Sequence, residues 1–294
     1  MKKMQENSER VSPLKVHVYS SDKNQYGFWA TLRNIFIEFP LAHSLGLRFA
    51  QRSISTKYRQ SFFGILWAFL PPLATATIWI ILNHTRVVKL DDVGAPYPLF
   101  VITGTMLWSV FTNAMLTPLQ VIQTNRNILV KINFPRESLL VNAFYEIIFN
   151  TLVSLVIIVV ALIVFKVPLT PESFLFIPGI FLLMILGLSI GLLLLPFSLL
   201  FKDIQFLLPP ILQFAMYLTP VVYAKQPFEG VGAILKINPV SPILTQVRAF
   251  LLHIPTTVSP MDIATIGMAS LILLIIGIVL QRITMQTLIE RMGN

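Results

Sequence analysis

The chain has 294 residues, a formal charge of +9 and no cysteine; 55 % of it is hydrophobic and only 12 % charged. An average soluble domain is about 25 % charged, so this composition excludes an ordinary soluble globule and points to a single membrane domain. The missing cysteines exclude disulfide frameworks, thiolate chemistry and cysteine metal sites, and the basic residues flank apolar runs instead of forming the aromatic-interleaved stripe of a nucleic-acid surface.

Residues 1–27 are polar and unpatterned, which predicts a cytosolic tail. Lys2 and Lys3 are followed by polar residues where a signal peptide requires an apolar core. From Phe28 to Phe39 the pattern becomes helical. Phe28, Trp29, Leu32, Ile35, Phe36 and Phe39 share one arc, Thr31, Asn34 and Glu38 lie opposite, and Pro40 is expected to end the run. This is the pattern of an amphipathic helix in the membrane interface, and equally of one packed on another protein surface. The expected division is a tail with its amphipathic helix at 1–40 and a transmembrane domain at 41–294.

Arg48, Arg52, Lys57, Tyr58 and Arg59 then lead into an uncharged run from Phe62 to Leu82. About 20 apolar residues cross a bilayer core as helix, and basic residues hold their end of a span in the cytosol. Five more runs follow: Leu99–Leu119, Ser138–Phe165, Phe174–Leu200, Ile204–Ala224 and Ile263–Leu280. Pro71 and Pro72 interrupt the first span and Pro209, Pro210 and Pro220 the fifth, so those two are expected to face protein or a cavity. The fold class predicted is an all-α integral membrane protein of six spans.

Six crossings place both termini on one side. Arg48, Arg52, Lys57, Arg59, Arg126, Lys131, Arg136, Lys202, Arg282 and Arg291 flank the proposed cytosolic ends; Arg86, Lys89, Lys166, Lys225, Lys236 and Arg248 flank the outer ones. The excess favours cytosolic termini.

Two connections are more than turns. QVIQTNRNILVKINFPRES, after the second span, is basic and polar but carries Ile128, Leu129, Ile132 and Phe134, the pattern of a short cytosolic helix ended by Pro135. The segment from Lys225 to Asp262, before the sixth span, holds the apolar helical piece PILTQVRAFLLHI. Outside the membrane, such a piece is expected to dip toward the bilayer, cap a pore or pack on the outer loops. The chain has no GxxxxGK[ST] phosphate loop and no HExxH. His17, His43, His84 and His253 are scattered, and no metal site is expected. Glu146, with Asn142 and Asn150, makes an i, i+4, i+8 polar stripe near the cytosolic end of the third span, where a snorkelling or amide-bonded carboxylate is expected before a proton-coupling one. Phe206, Gln213 and Tyr217 share an arc of the fifth span, and Phe63 and Trp67 one of the first. Such faces suit sugar rings, and also plain helix packing and interface anchoring.

Four blocks resemble the membrane subunits of ABC transporters that export lipid-linked polysaccharides or polyol phosphates, the O-antigen, capsule and teichoic-acid exporters. TKYRQSFFGILWAFLPPL is similar to the family's basic-Tyr-Arg/Lys-Gln, Leu-Gly-x-Leu-Trp and x-Pro-Leu pattern, with Phe63 where Leu is usual. NRNILVKINFPRESLL resembles its cytosolic Asn-x-x-Leu-x-x-Lys-x-x-Phe-Pro-Arg-Glu segment. FKDIQFLLPPILQFAMYLTPVVY resembles the start of its fifth span, with Lys202 for the usual Arg, and INPVSPILTQVRAFLL its external Asn-Pro segment.

The resemblance implies a six-helix permease of a bacterial cytoplasmic membrane, with an amphipathic interface helix before the first span and short external helices before the last. It implies a homodimer, with two copies of a separate ABC ATPase carrying ATP and Mg, and no cofactor in this chain. Arg126, Asn127, Ile128, Leu129, Lys131, Phe134, Pro135, Arg136 and Glu137 would form the ATPase-coupling segment. Phe63, Trp67, Phe206, Gln213 and Tyr217 would line the polymer path. Arg48, Arg52, Lys57, Tyr58 and Arg59 would meet lipid headgroups or the substrate's diphosphate. A membrane enzyme acting on lipid-linked sugars would need a cluster of Asp, Glu, His or Arg near the interface, and a secondary carrier inverted repeats and midplane acids; neither appears. A drug or small-lipid exporter of the same superfamily is the nearer rival, and the FPRE segment argues against it.

Overall fold

The computed structural model describes residues 28–59, 62–85, 94–131, 134–223 and 238–292. The tail before Phe28, with His17, lies outside them, as do Arg86, Lys89, Ile132, Lys225 and Lys236. Among the described residues the structure is helical, without a strand. The helices are α1 (Phe28–Arg59), α2 (Leu70–His84), α3 (Tyr97–Thr124), α4 (Arg126–Lys131), α5 (Glu137–Val164), α6 (Phe176–Leu200), α7 (Asp203–Tyr217), α8 (Val240–Leu252) and α9 (Pro260–Met292). Short 3-10 turns at Gly64–Ala68 and Pro171–Leu175 precede α2 and α6.

Four segments are long and apolar enough to cross a membrane: Tyr97–Thr124, Glu137–Val164, Pro171–Leu200 and Pro260–Met285. They coincide with the second, third, fourth and sixth expected spans. The first and fifth differ. Each holds a 15-residue helix, α2 and α7, about 23 Å long at 1.5 Å per residue against a hydrocarbon core of about 30 Å. Pro71 and Pro72 do not interrupt α2 but sit in its first turn, where their missing N–H groups cost no helical bond. Pro209 and Pro210 do lie inside α7.

Pro40 does not end the helix that begins at Phe28. It lies within α1, which continues unbroken across the expected boundary to Arg59. The second half of α1 packs along α5, and Gly46 permits the approach, since a Cβ there would meet the Ser138 carbonyl and the Val141 side chain. The side chains of the 28–38 arc, and that of Tyr58, lie outside the described ones.

α3 is the centre of the bundle, buried along most of its length and packed on α2, α5, α6 and α8. Apolar contacts gain little between helices surrounded by equally apolar lipid, so close packing must hold them together. Gly187 and Gly191 of α6, four residues apart, supply it: a Cβ on either would meet backbone of α3, at Phe111 and Met115. α9 packs on the far side of α6, where Gly277 lies against Leu192. Its remaining surface, with Met268, Leu271, Ile272, Ile275 and Ile276, is exposed and apolar, as befits a helix facing lipid.

Candidate functional site

The 126–137 segment begins where α3 stops. Asn125 closes that helix by donating its side-chain amide to the Val121 carbonyl at 2.8 Å, and its own carbonyl accepts the N–H groups of Ile128 and Leu129. One residue therefore ends α3 and starts α4. Leu129 faces inward, only 6 % exposed, and Ile128 is half-buried. Phe134 packs on Phe49 of α1 with ring centroids 5.7 Å apart. Pro135 is buried, and its carbonyl accepts both the N–H and the hydroxyl of Ser138. Glu137 opens α5 and accepts a hydrogen bond at 2.7 Å from Arg282 of α9; a carboxylate also suits the positive end of the helix dipole. Arg126 and Arg136 are half-buried, and Asn127 and Lys131 are exposed. Leu129, Phe134 and Glu137 bind the segment to its own chain, and Asn127 and Lys131 are exposed on it.

On α1 the basic residues Arg48, Arg52, Lys57 and Arg59 are exposed. Beside them Ser53 donates to Glu146 of α5 at 2.6 Å, and His43 bonds the Tyr145 hydroxyl at 2.9 Å. Glu146 is thus hydroxyl-bonded; the amide of Asn142, a turn away, is buried with no partner among the described residues.

The two aromatic arcs stand on the surface. Phe63 and Trp67 make an edge-to-face pair 6.0 Å apart, Trp67 is 49 % exposed and Phe206 76 %, and Gln213 is exposed. Tyr217 of α7 packs on a residue not singled out from the sequence, Trp79 of α2, with centroids 5.9 Å apart.

A second constellation joins the Thr-Pro-Val and Asn-Pro blocks. The Asn238 side chain accepts from the Val240 N–H at 3.0 Å, starting α8, and donates to the Thr219 hydroxyl at 2.8 Å. From α8, Arg248 donates to the carbonyls of Pro220 at 2.9 Å and Val221 at 2.6 Å and lies 3.8 Å over the ring of Phe100. Gly104 of α3 leaves room for it. Arg248 is 4 % exposed, and burial pushes its pKa down to about 9, so it remains charged at neutral pH. It is not the free outer flank charge that the orientation count takes it to be. An arginine in an otherwise apolar helical stretch was the available signal, because a buried cation must find acceptors. The apolar face of α8 is buried against α3 and α6.

Four segments long and apolar enough to cross a membrane, packed around α3, make this a multi-pass membrane protein. Residues 47–252 match the model of the ABC-2 type transporter family, and the chain belongs to it. It is also similar to the O-antigen export system permease protein RfbA of Myxococcus xanthus, 25 % identical over 202 residues, which cover 68 % of this chain and 76 % of that one.

Proposed function

We propose that the chain is the permease subunit of an ATP-driven exporter that carries a lipid-linked polysaccharide across a bacterial cytoplasmic membrane. In this reading it works as a homodimer with two copies of an ABC ATPase, which bind ATP and Mg, and both termini are cytosolic. The observation that carries it is the 126–137 segment, anchored by Leu129, Phe134 and Glu137 and open at Asn127 and Lys131, in a chain of the ABC-2 family. A segment clamped to three helices passes a push from outside into the bundle instead of absorbing it. α2 and α7, with the turns beside them, complete six crossings, and the exposed Arg48, Arg52, Lys57 and Arg59 meet headgroups.

The test separates anchors from contacts. Asn127→Ala with Lys131→Glu is expected to lower co-purification of the ATPase about tenfold, or ~1.4 kcal/mol, and export with it, at an unchanged unfolding temperature. Leu129→Ala should instead cost about 2–5 kcal/mol of stability through lost core packing, read as a lower unfolding temperature. Full ATPase binding and export in the surface double variant would refute the coupling role.

The exposed rings of Phe63 and Trp67 at the 3-10 turn before α2 and of Phe206 and Tyr217 on α7, with Gln213 beside the latter, support a polymer path there. Trp67→Ala with Tyr217→Ala is expected to reduce surface polysaccharide while ATP hydrolysis continues, since ring contacts are worth about 1 kcal/mol each. If export falls only in proportion to the yield of assembled complex, the rings serve packing and the path lies elsewhere.

A further inference from the structure

A cavity of about 510 Å³ opens between the first half of α6, α8 and the first turns of α9. It falls within the range of ligand sites, about 300–1,000 Å³. Its walls include Phe181 and Leu182 of α6, Phe250 of α8, and Ile263 and Gly267 of α9; only one lining residue, Gln246, is polar. The Gln246 Oε1 is buried and has no hydrogen-bond partner among the described residues. Left unpaired in the apolar wall, that oxygen is costly unless the side chain turns to bring the carboxamide to a partner. Along α9 the lining runs from Ile263 to Leu271, about 12 Å at 1.5 Å per residue, most of one leaflet of a core about 30 Å thick. The rim continues into the exposed apolar face of α9 at Met268, Leu271 and Ile272. The cavity therefore opens sideways, toward hydrocarbon.

We propose that this cavity seats one acyl chain of a membrane phospholipid, with the Gln246 carboxamide meeting the ester region at the head of that chain. Depth, apolar walls and lateral opening suit the chain. The amide suits an ester carbonyl, because rotation about its last bond exchanges acceptor for N–H donor. The phospholipid is held by α6, α8 and α9 together, and so differs from lipid that merely coats α9. This seat is independent of what the protein transports.

Gly267 makes the proposal testable, because a Cβ there meets only Leu182 at an ordinary 3.7 Å. Alanine is accommodated, and a larger side chain fills the cavity. The full-length protein is placed in phosphatidylethanolamine–phosphatidylglycerol nanodiscs containing a phospholipid with a diazirine at the acyl terminus, irradiated, and its labelled peptides mapped. Label is expected to concentrate at the deep end of the cavity, on residues 182–185 and 267–271. It should fall about tenfold there, the effect of losing one anchoring contact, in Gly267→Leu, and remain in Gly267→Ala. Gln246→Leu should weaken it as well. Should Gly267→Leu not be recovered folded, Leu271→Trp blocks the mouth from an exposed position. Label spread evenly over the outer faces of α6 and α9, or unchanged in the filled variant, would overturn the seat. Displacement by a polyisoprenyl phosphate but not by excess phospholipid would give the cavity to a different lipid and overturn the assignment too.

Discussion

Arg248→Ala is expected to lower the stability of the purified protein by about 3 kcal/mol or more. The guanidinium satisfies the carbonyls of Pro220 and Val221, and each buried acceptor left without a donor costs about 1–3 kcal/mol. The ring contact with Phe100 is lost besides, worth about 2 kcal/mol when desolvated. Arg248→Lys keeps a charge but cannot bridge two carbonyls while lying flat on a ring, so it should recover only part of the loss. Arg248→Met fills the space and leaves both carbonyls bare. Thermal unfolding in detergent, followed by size-exclusion chromatography, ranks the three. An alanine variant as stable as the parent would mean that the cost of burying the cation cancels everything its contacts supply.

Gly191→Leu is expected to separate α6 from α3. A side chain at this position would collide with the Met115 carbonyl, and one at Gly187 with that of Phe111. Backbone oxygens inside a helix cannot rotate away, so each substitution should reach the upper end of the ~1–3 kcal/mol usual for overpacking, and the pair should nearly abolish recovery of folded protein. Gly267→Ala is the control: its site is open, and alanine improves helix propensity by about 1 kcal/mol over glycine. Normal yield and melting behaviour for Gly187→Leu with Gly191→Leu would show that α3 and α6 are not held by close backbone contact.

Four spans were legible because each depends on a local quantity, the length of an apolar run, which tertiary structure does not revise. The ends of α5 and α6 fall close to the expected limits for that reason. The prolines misled because their effect depends on position within a helix. Pro71 and Pro72 are harmless in the first turn of α2, whereas Pro40 is carried through by a helix that continues along α5. In the 126–137 segment the residue types were informative and their direction was not. An apolar Leu129 or Phe134 suits a partner's groove and the chain's own core equally, and only the path of α1 and α3 around the segment chooses between them. Glu137 reads as one more polar residue until α9 brings Arg282 to it across 145 positions.

The sequence by itself determined the class of protein, most of its membrane segments and the blocks in which its polar residues are grouped. These follow from hydropathy and from side-chain chemistry at fixed spacing. Only the tertiary structure decided what those blocks do to one another. It set Asn238 on Thr219 and Arg248 on the turn after α7, turned the anchors of α4 inward, and enclosed the cavity beside Gln246. The physical reason is that a buried polar group or a close helix crossing is satisfied by atoms distant in the chain, and no local pattern specifies which ones.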